Sequence, residues 1–327
     1  MLFKCKNCGG NSVYNPEKQA MCCPHCDSID SQEKVEGVNM QSCVNCGAPI
    51  ETQAYTSATK CPNCGSYLIF DEKVQGEYTP HLILPFRISK NQATECIRKE
   101  FKRRAFTPAS FLSAASIKNM EGIYVPFFMY DFDVDAVYRA KGTKVRKWTS
   151  GNTEYTETSY YDIQRDMDVT FEKIPVDASV NMENNTMDLM EPYDYKALEN
   201  FKEHMLSGFL GECYTQDGDM LLGRAKSKAE NDTRLLLRES VSGYTTLSTV
   251  QENISSVEKG RNYALLPVWV YEFTYGDKTY TYHVNGQTGK VIGETPVSKK
   301  KLAGYTATVF GLCAMAGLFA NIIAVFM

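Results

Sequence analysis

The sequence lacks the excess of positive charge with which nucleic-acid-binding proteins neutralise phosphate groups. Its 327 residues contain 35 lysines and arginines against 39 aspartates and glutamates, for a formal net charge of −4. The segment 1–80 contains no arginine, and its lysines are outnumbered by its carboxylates, six to nine. This balance argues against binding of DNA or RNA, which stays a second hypothesis for the chain.

The sequence also lacks the local motifs of common enzymes. Residues 284–291 contain two glycines and a lysine but not the spacing of a phosphate-binding loop, and there is no H-E-x-x-H motif or nucleophile elbow. The residues that could serve as acids or bases are isolated or typical of a solvated strand edge: His81, His204, His283, Asp131, Asp133 and Asp135. Catalysis is therefore the least favoured function, and we predict that the chain is not an enzyme.

Cysteine, in contrast, is frequent and strictly spaced near the N-terminus. Pairs of the form C-x2-C occur four times, and the first two pairs recur at a constant offset of 38: Cys5 and Cys8, Cys23 and Cys26, Cys43 and Cys46, Cys61 and Cys64. Such pairs are typical of zinc sites, because thiolate suits Zn²⁺ and a tight turn aims both sulfurs at one point. We predict two zinc ribbons, each of which binds one Zn²⁺ through four cysteines.

The residues that follow the cysteine pairs support tight metal-binding turns, or knuckles. Gly9, Gly47 and Gly65 each follow a second cysteine, and Asp27 takes this place in the remaining pair. Glycine permits the positive φ that such a turn requires. The spacers 9–22 and 47–60 are both long enough for a short β-hairpin.

Disulfide bonds are the alternative use of these cysteines. They need an oxidising compartment, and the residues after Met1 lack the apolar segment of a signal peptide. We therefore favour zinc in a reducing compartment. Cys22 lies beside Cys23 but outside the register of the repeat. This predicts a spare thiol, with a swapped ligand as the alternative, and His25 is expected at the surface.

Residues 77–298 have the pattern of an α+β domain. Local periodicity predicts strands at 81–88, 122–132 and 263–273, helices at 91–106, 187–215 and 219–240, and hairpins at 145–171 and around 285–286. The first helix has an N-cap at Ser89 and an apolar stripe of Ala93, Ile97 and Phe101. Its other side is basic, which we interpret as a solvated face, with an anionic lipid surface or an acidic partner as the alternative.

A second internal repeat lies in this domain. Residues 122–132 resemble residues 263–273 at an offset of 141, so that Pro126 matches Pro267 and Tyr130 matches Tyr271. The repeat predicts two related β-rich halves. The predicted organisation is a first ribbon at 1–36, a second ribbon at 37–76, the α+β domain at 77–298 and a membrane segment at 299–327.

The C-terminal residues contain a long uncharged run. Lys299, Lys300 and Lys301 precede residues 302–327, which carry no charge and are long enough to span a bilayer as a helix. The positive-inside rule predicts that the N-terminal bulk faces the cytoplasm. Small residues and one amide share a helix face, which indicates self-association in the membrane: Gly304, Ala307, Gly311, Ala314 and Asn321.

Together these motifs resemble a bacterial family of membrane proteins with an N-terminal TFIIB-type zinc ribbon, often labelled primosomal protein N′ (replication factor Y)-like. Besides the ribbons, the resemblance involves residues 83–86, 122–127, 174–179, 191–193, 207–209, 266–269 and 284–291. It implies a membrane partner of soluble PspA-like or SPFH/virion-core-like envelope-stress proteins. The chain departs from the family pattern in having two ribbons instead of one. The sequence thus predicts a cytoplasm-facing, C-terminally anchored adaptor that recruits or scaffolds soluble proteins.

Overall fold

The structure is a computed structural model that describes residues 1–38, 40–108 and 120–326, with the backbone alone for 318–326. The strands of the described residues are β1 (Leu2–Cys5), β2 (Val13–Asn15), β3 (Ala20–Cys22), β4 (Gln32–Val35), β5 (Thr56–Lys60), β6 (Tyr67–Ile69), β7 (Leu82–Ile83), β8 (Glu121–Ser150), β9 (Thr153–Asp177), β10 (Glu199–Asn200), β11 (Leu210–Glu212), β12 (Thr246–Tyr275), β13 (Lys278–Asn285) and β14 (Val291–Gly293). The helices are α1 (Lys90–Lys102), α2 (Asn184–Met190), α3 (Gly218–Ser240) and α4 (Lys299–Phe326).

The long strands β8 and β12 form the centre of the main sheet. They are antiparallel neighbours from Thr143 opposite Thr246 to Glu121 opposite Val270. β9 pairs with β8 on the side that faces away from β12, and β13 pairs with β12 on the side that faces away from β8. The element order is the same in both halves, since β7–α1–β8–β9 matches β11–α3–β12–β13.

The short strands give the two halves an equivalent register. β7 runs parallel to β12 at Ala264, and β11 runs parallel to β8 at Ile123. Ala264 and Ile123 are themselves separated by the offset of the sequence repeat. The repeated segments therefore occupy matching positions on the two central strands.

Each of the two longer domain helices packs on the hairpin of the other half. The capping box at Ser89 starts α1, and its apolar stripe is buried, with Phe101 against Tyr282 of β13 at 5.0 Å between ring centroids. α3 buries Leu221 and Ala225 against Tyr130, Phe132 and their neighbours on β8 and β9. The predicted helix 91–106 corresponds to α1, which begins one residue earlier and ends four residues earlier. Its predicted apolar stripe is buried.

Two local predictions are wrong. Residues 187–215 do not form one helix, because α2 ends at Met190 and Pro192 follows, which has no N–H for a helical hydrogen bond. The chain then makes 3-10 turns and the short strands β10 and β11. Residues 81–88 form only the two-residue strand β7, since Pro85 follows and cannot donate to a ladder.

β8, β9 and β12 extend past the core as a long arm. From Phe132 to Ser150 the arm measures about 60 Å at a rise of about 3.3 Å per residue. α3 covers one face as far as Leu237, which packs with Tyr138 and Ile163. The predicted hairpin at 145–171 is confirmed as the outer part of β8 and β9.

Both cysteine units pack against this domain. The hairpin β2–β3 lies in the first spacer, as predicted, and Phe3, Tyr14 and Met21 belong to the main hydrophobic core. The second spacer contains only β5, which pairs with β6 beyond the last cysteine and with β11 of the domain. The second unit therefore continues the main sheet instead of forming a hairpin within its spacer.

α4 continues from the domain with exposed apolar side chains that include Leu302, Tyr305 and Phe310. Within the described part of the chain, no helix combines the length and the apolar character that crossing a membrane requires. Asn321 of the predicted self-association face lies among residues 318–327, whose side chains are outside the description.

Candidate metal centres

Four knuckles with the same backbone pattern hold the cysteine pairs. In each, the residue after the second cysteine donates its N–H to the carbonyl of the first cysteine, at 2.7–2.9 Å. These residues are Gly9, Asp27, Gly47 and Gly65, and all four have positive φ, between 57° and 72°. The predicted left-handed turns are confirmed, including the aspartate that replaces glycine in the second knuckle.

The knuckles bring the cysteines into two groups of four. The first is Cys5, Cys8, Cys23 and Cys26, and the second is Cys43, Cys46, Cys61 and Cys64, with all sulfurs of a group within 4.8 Å of one another. Each group can hold a metal ion.

The sulfur spacing fits a tetrahedral ion. The Sγ atoms of Cys5 and Cys26 are 3.6 Å apart, and those of Cys8 and Cys23 are 3.5 Å apart. The matching distances in the second group are both 3.7 Å. A tetrahedron with Zn–S bonds of about 2.3 Å has edges of about 3.8 Å, so both groups match four-thiolate coordination with little adjustment.

Each group has an inner and an outer side. The first cysteine of every knuckle is buried, whereas Cys8, Cys26 and Cys46 are exposed and Cys64 is half-buried. In the second group the inner side joins a small apolar cluster with Leu2, Ile50 and Leu68. A metal ion would therefore link the hydrophobic interior to an outer knuckle surface.

The thiols of one group are electrostatically unequal. Burial acts to raise the pKa of Cys5, but N–H donors of Asn7 and Cys8 outweigh it and lower the pKa to about 6. In the second group, burial raises the pKa of Cys43 to about 12. Burial acts in the same direction on Cys64, but hydrogen bonds from Asn45 and Ser66 outweigh it and lower the pKa of Cys64 to about 5. Four adjacent thiols cannot all ionise at low cost, and a bound dication would remove this conflict because ligation stabilises the thiolates.

A repeated hydrogen-bond pair supports the outer sulfurs. The Asn7 side chain donates to the Ser28 hydroxyl at 2.9 Å, and Ser28 lies 2.8 Å from Cys26 Sγ. At the equivalent place in the second unit, Asn45 donates to Ser66 at 3.0 Å and to Cys64 Sγ at 3.5 Å. The sequence prediction missed these residues, although both pairs follow the register of the cysteines.

Asn45 is also a contact between the two cysteine units. Its Oδ1 accepts a hydrogen bond from Lys4 Nζ at 2.6 Å, and its partner Ser66 accepts one from Asn11 at 2.8 Å. The two groups are therefore joined through the side chains that support the second one.

We expect Asn45→Ala to weaken metal binding by the second group about 10- to 100-fold, as loss of outer-shell partners typically does. Competition with a chromophoric chelator would measure the affinity of each site. Asn7→Ala should have a smaller effect, since the Asn7 side chain reaches its sulfur only through Ser28. Asn152→Ala in the exposed arm turn is the matched control, and equal affinities for Asn45→Ala and the control would contradict the assignment.

Three other residues that the sequence analysis singled out, Cys22, His25 and His81, belong to neither group of four cysteines. Cys22 is buried in β3, where burial raises the pKa of its thiol, and it belongs to neither group of four. This agrees with a spare thiol. His25 is exposed in its knuckle, as expected. His81 accepts a hydrogen bond from the Tyr263 N–H at 3.1 Å, which is a structural contact between β7 and β12.

Comparison with known proteins gives one extended similarity. Over 321 residues, 94% of each chain, the sequence is 34% identical to "Uncharacterized protein YdjG" of Bacillus subtilis (strain 168). The chain belongs to the YdjG family. No protein-family model and no solved structure matches it. The similarity to YdjG extends over nearly the whole length of both chains.

Proposed function

We propose that the chain is a membrane-anchored, cytoplasm-facing adaptor that binds two Zn²⁺ ions and recruits or scaffolds soluble proteins. The observation that carries the proposal is the pair of four-cysteine groups packed on the domain core. Four thiolates close the coordination sphere of zinc and leave no position for a substrate. The metal role that fits this arrangement is structural support of an exposed surface.

The outer knuckles supply a surface for a protein partner. Val44 and Ile29 are apolar side chains with exposed fractions of 43% and 52%, and His25 is exposed in its knuckle. Exposed apolar residues on a rigid backbone support protein docking, because little conformational entropy is lost on binding. The resemblance to the ribbon-containing membrane family suggests a PspA-like or SPFH/virion-core-like protein as the partner.

The C-terminal segment supports membrane anchoring. Residues 302–327 are uncharged and follow three lysines, and Leu302, Tyr305, Val309 and Phe310 are exposed. Apolar side chains on an isolated helix favour lipid over water. Lysines before the segment favour a cytoplasmic location for the metal centres.

Copurification from membranes tests the adaptor role. We expect the full-length variant His25→Glu/Val44→Glu to keep two metal ions and lose about tenfold or more of its bound partner, as loss of a central contact typically does. Val250→Glu, at a side chain that is 66% exposed on the arm, is the control. If both variants retain the same proteins as the native chain, the knuckles are not the docking surface.

A further inference from the structure

A basic surface surrounds the start of α4. Residues 99–108 and 294–301 contain seven cationic side chains and two carboxylates, although the whole chain has a net charge of −4. We call these two segments the basic platform. Its cations are Lys99, Lys102, Arg103, Arg104, Lys299, Lys300 and Lys301.

Direct contacts join the two segments of the basic platform. The Ser298 N–H donates to the Phe106 carbonyl at 2.8 Å, and Lys301 Nζ donates to the Thr107 carbonyl at 2.7 Å. The rings of Phe106 and Tyr305 meet edge to face at 5.4 Å. Two segments that are distant in sequence therefore form one surface at the end of α1 and the beginning of α4.

Most of the positive charge on this surface is not neutralised. Glu100 forms ion pairs with Arg104 at 3.2 Å and Arg103 at 3.9 Å, and Glu294 pairs with Lys278 at 3.3 Å. Even so, 82% of the Arg103 side chain is exposed. Among the described residues, no carboxylate forms an ion pair with the exposed lysines of the platform: Lys99, Lys102, Lys299 and Lys300.

We propose that the basic platform binds the headgroups of an anionic lipid bilayer and orients the sheet domain on the membrane. This rests on the proposed membrane anchoring by α4. The cations border a helix with exposed Leu302, Tyr305 and Phe310, and cations next to an apolar segment with an interfacial tyrosine suit the bilayer surface. An acidic protein would complement the cations of the platform but not the exposed apolar side chains beside them.

The sheet topology determines where the arm lies relative to the basic platform. β12 runs from the arm at Thr246 to Tyr275, and the last turn of α1 packs on Tyr282, which pairs with Tyr271 near that far end. The basic platform and the arm are thus at opposite ends of the sheet. With the platform on lipid, the arm tip lies far from the headgroups and is open to cytosolic proteins.

Hydrogen exchange of the full-length chain in lipid nanodiscs tests the platform. We expect amides 99–104 to exchange at least about fivefold more slowly with phosphatidylglycerol present than in phosphatidylcholine alone, since each surface cation adds about a factor of five in binding. High salt should remove the difference, because it screens exposed charges.

Lys102→Gln/Arg103→Gln should reduce the lipid-dependent protection of amides 99–104 severalfold. Folding should be retained, because both side chains are exposed. Lys141→Gln/Arg146→Gln, a matched pair on the arm, should retain it. Equal exchange in both lipids, for a chain that floats with vesicles, would overturn the platform and leave the anchoring intact. A chain that floats with neither lipid would overturn the anchoring and the platform together.

Discussion

Removal of both metal ions is expected to destabilise the whole sheet domain, and not the cysteine units alone. A structural Zn²⁺ contributes about 10–16 kcal/mol of apparent binding free energy in small ribbons, whereas a domain is stable by about 5–15 kcal/mol. Phe3, Tyr14 and Met21 of the first unit lie in the main core, and β5 of the second unit pairs with β11. Loss of either knuckle pair therefore exposes part of the shared core.

Tryptophan fluorescence can separate a local from a global response. Trp269 lies in the core, with its ring 5.0 Å from that of Phe86, and Trp148 lies on the arm. In a Trp148→Phe background, a strong chelator under reducing conditions should lower the melting temperature reported by Trp269 by more than about 10 °C, since about 1 kcal/mol corresponds to about 2–4 °C in a domain of this size.

Single cysteine variants should remove the two metal ions separately. Cys43→Ser is expected to reduce the bound metal from two ions to one, measured by mass spectrometry of the purified protein, because Cys43 is a buried member of the second group. Cys313→Ser, at an exposed position on α4, is the control and should keep both ions. A Trp269 transition that is indifferent to chelation would show that the units are independent of the core.

The cysteine groups were largely predictable from the sequence because their chemistry is local. The two cysteines of a C-x2-C pair share one turn, and the register of the repeat identified which four belong together. For the same reason, Gly9, Gly47 and Gly65 indicated the positive φ of three knuckles. Asn45 and Ser66 were missed because polar residues beside a cysteine are common, and only the register distinguished them.

Other parts of the fold depend on contacts that no single segment contains. The periodicity of α1 predicted its buried stripe, but not that it packs on β13 from the other half of the repeat. The second spacer looked like the first, yet β5 pairs with β11, a strand that is distant in sequence. The basic platform likewise needs Phe106 and Ser298 to meet, which neither segment indicates alone.

Phe209→Ala is expected to be the most damaging single substitution outside the cysteines. The Phe209 ring stacks on Phe86 at 4.0 Å between centroids and meets Tyr124 and Trp269 edge to face. A Cβ on Gly122 would lie 2.6 Å from Cδ1 of Phe209, which shows how closely the ring fills its site. Truncation of a buried phenylalanine costs about 3–5 kcal/mol.

The same substitution should also affect metal retention in the first group more than in the second. Phe209 follows Ser207, whose carbonyl accepts from the Tyr14 N–H at 2.8 Å and whose hydroxyl donates to the Ser12 carbonyl at 2.7 Å. These bonds hold β2 against the domain, next to the first knuckles. Denaturant unfolding and chelator-driven metal release measure the two effects, with Tyr160→Ala, 81% exposed on the arm, as the control. A loss below about 0.5 kcal/mol, within the range of ordinary surface substitutions, would mean that the aromatic cluster is not what joins the first metal centre to the sheet.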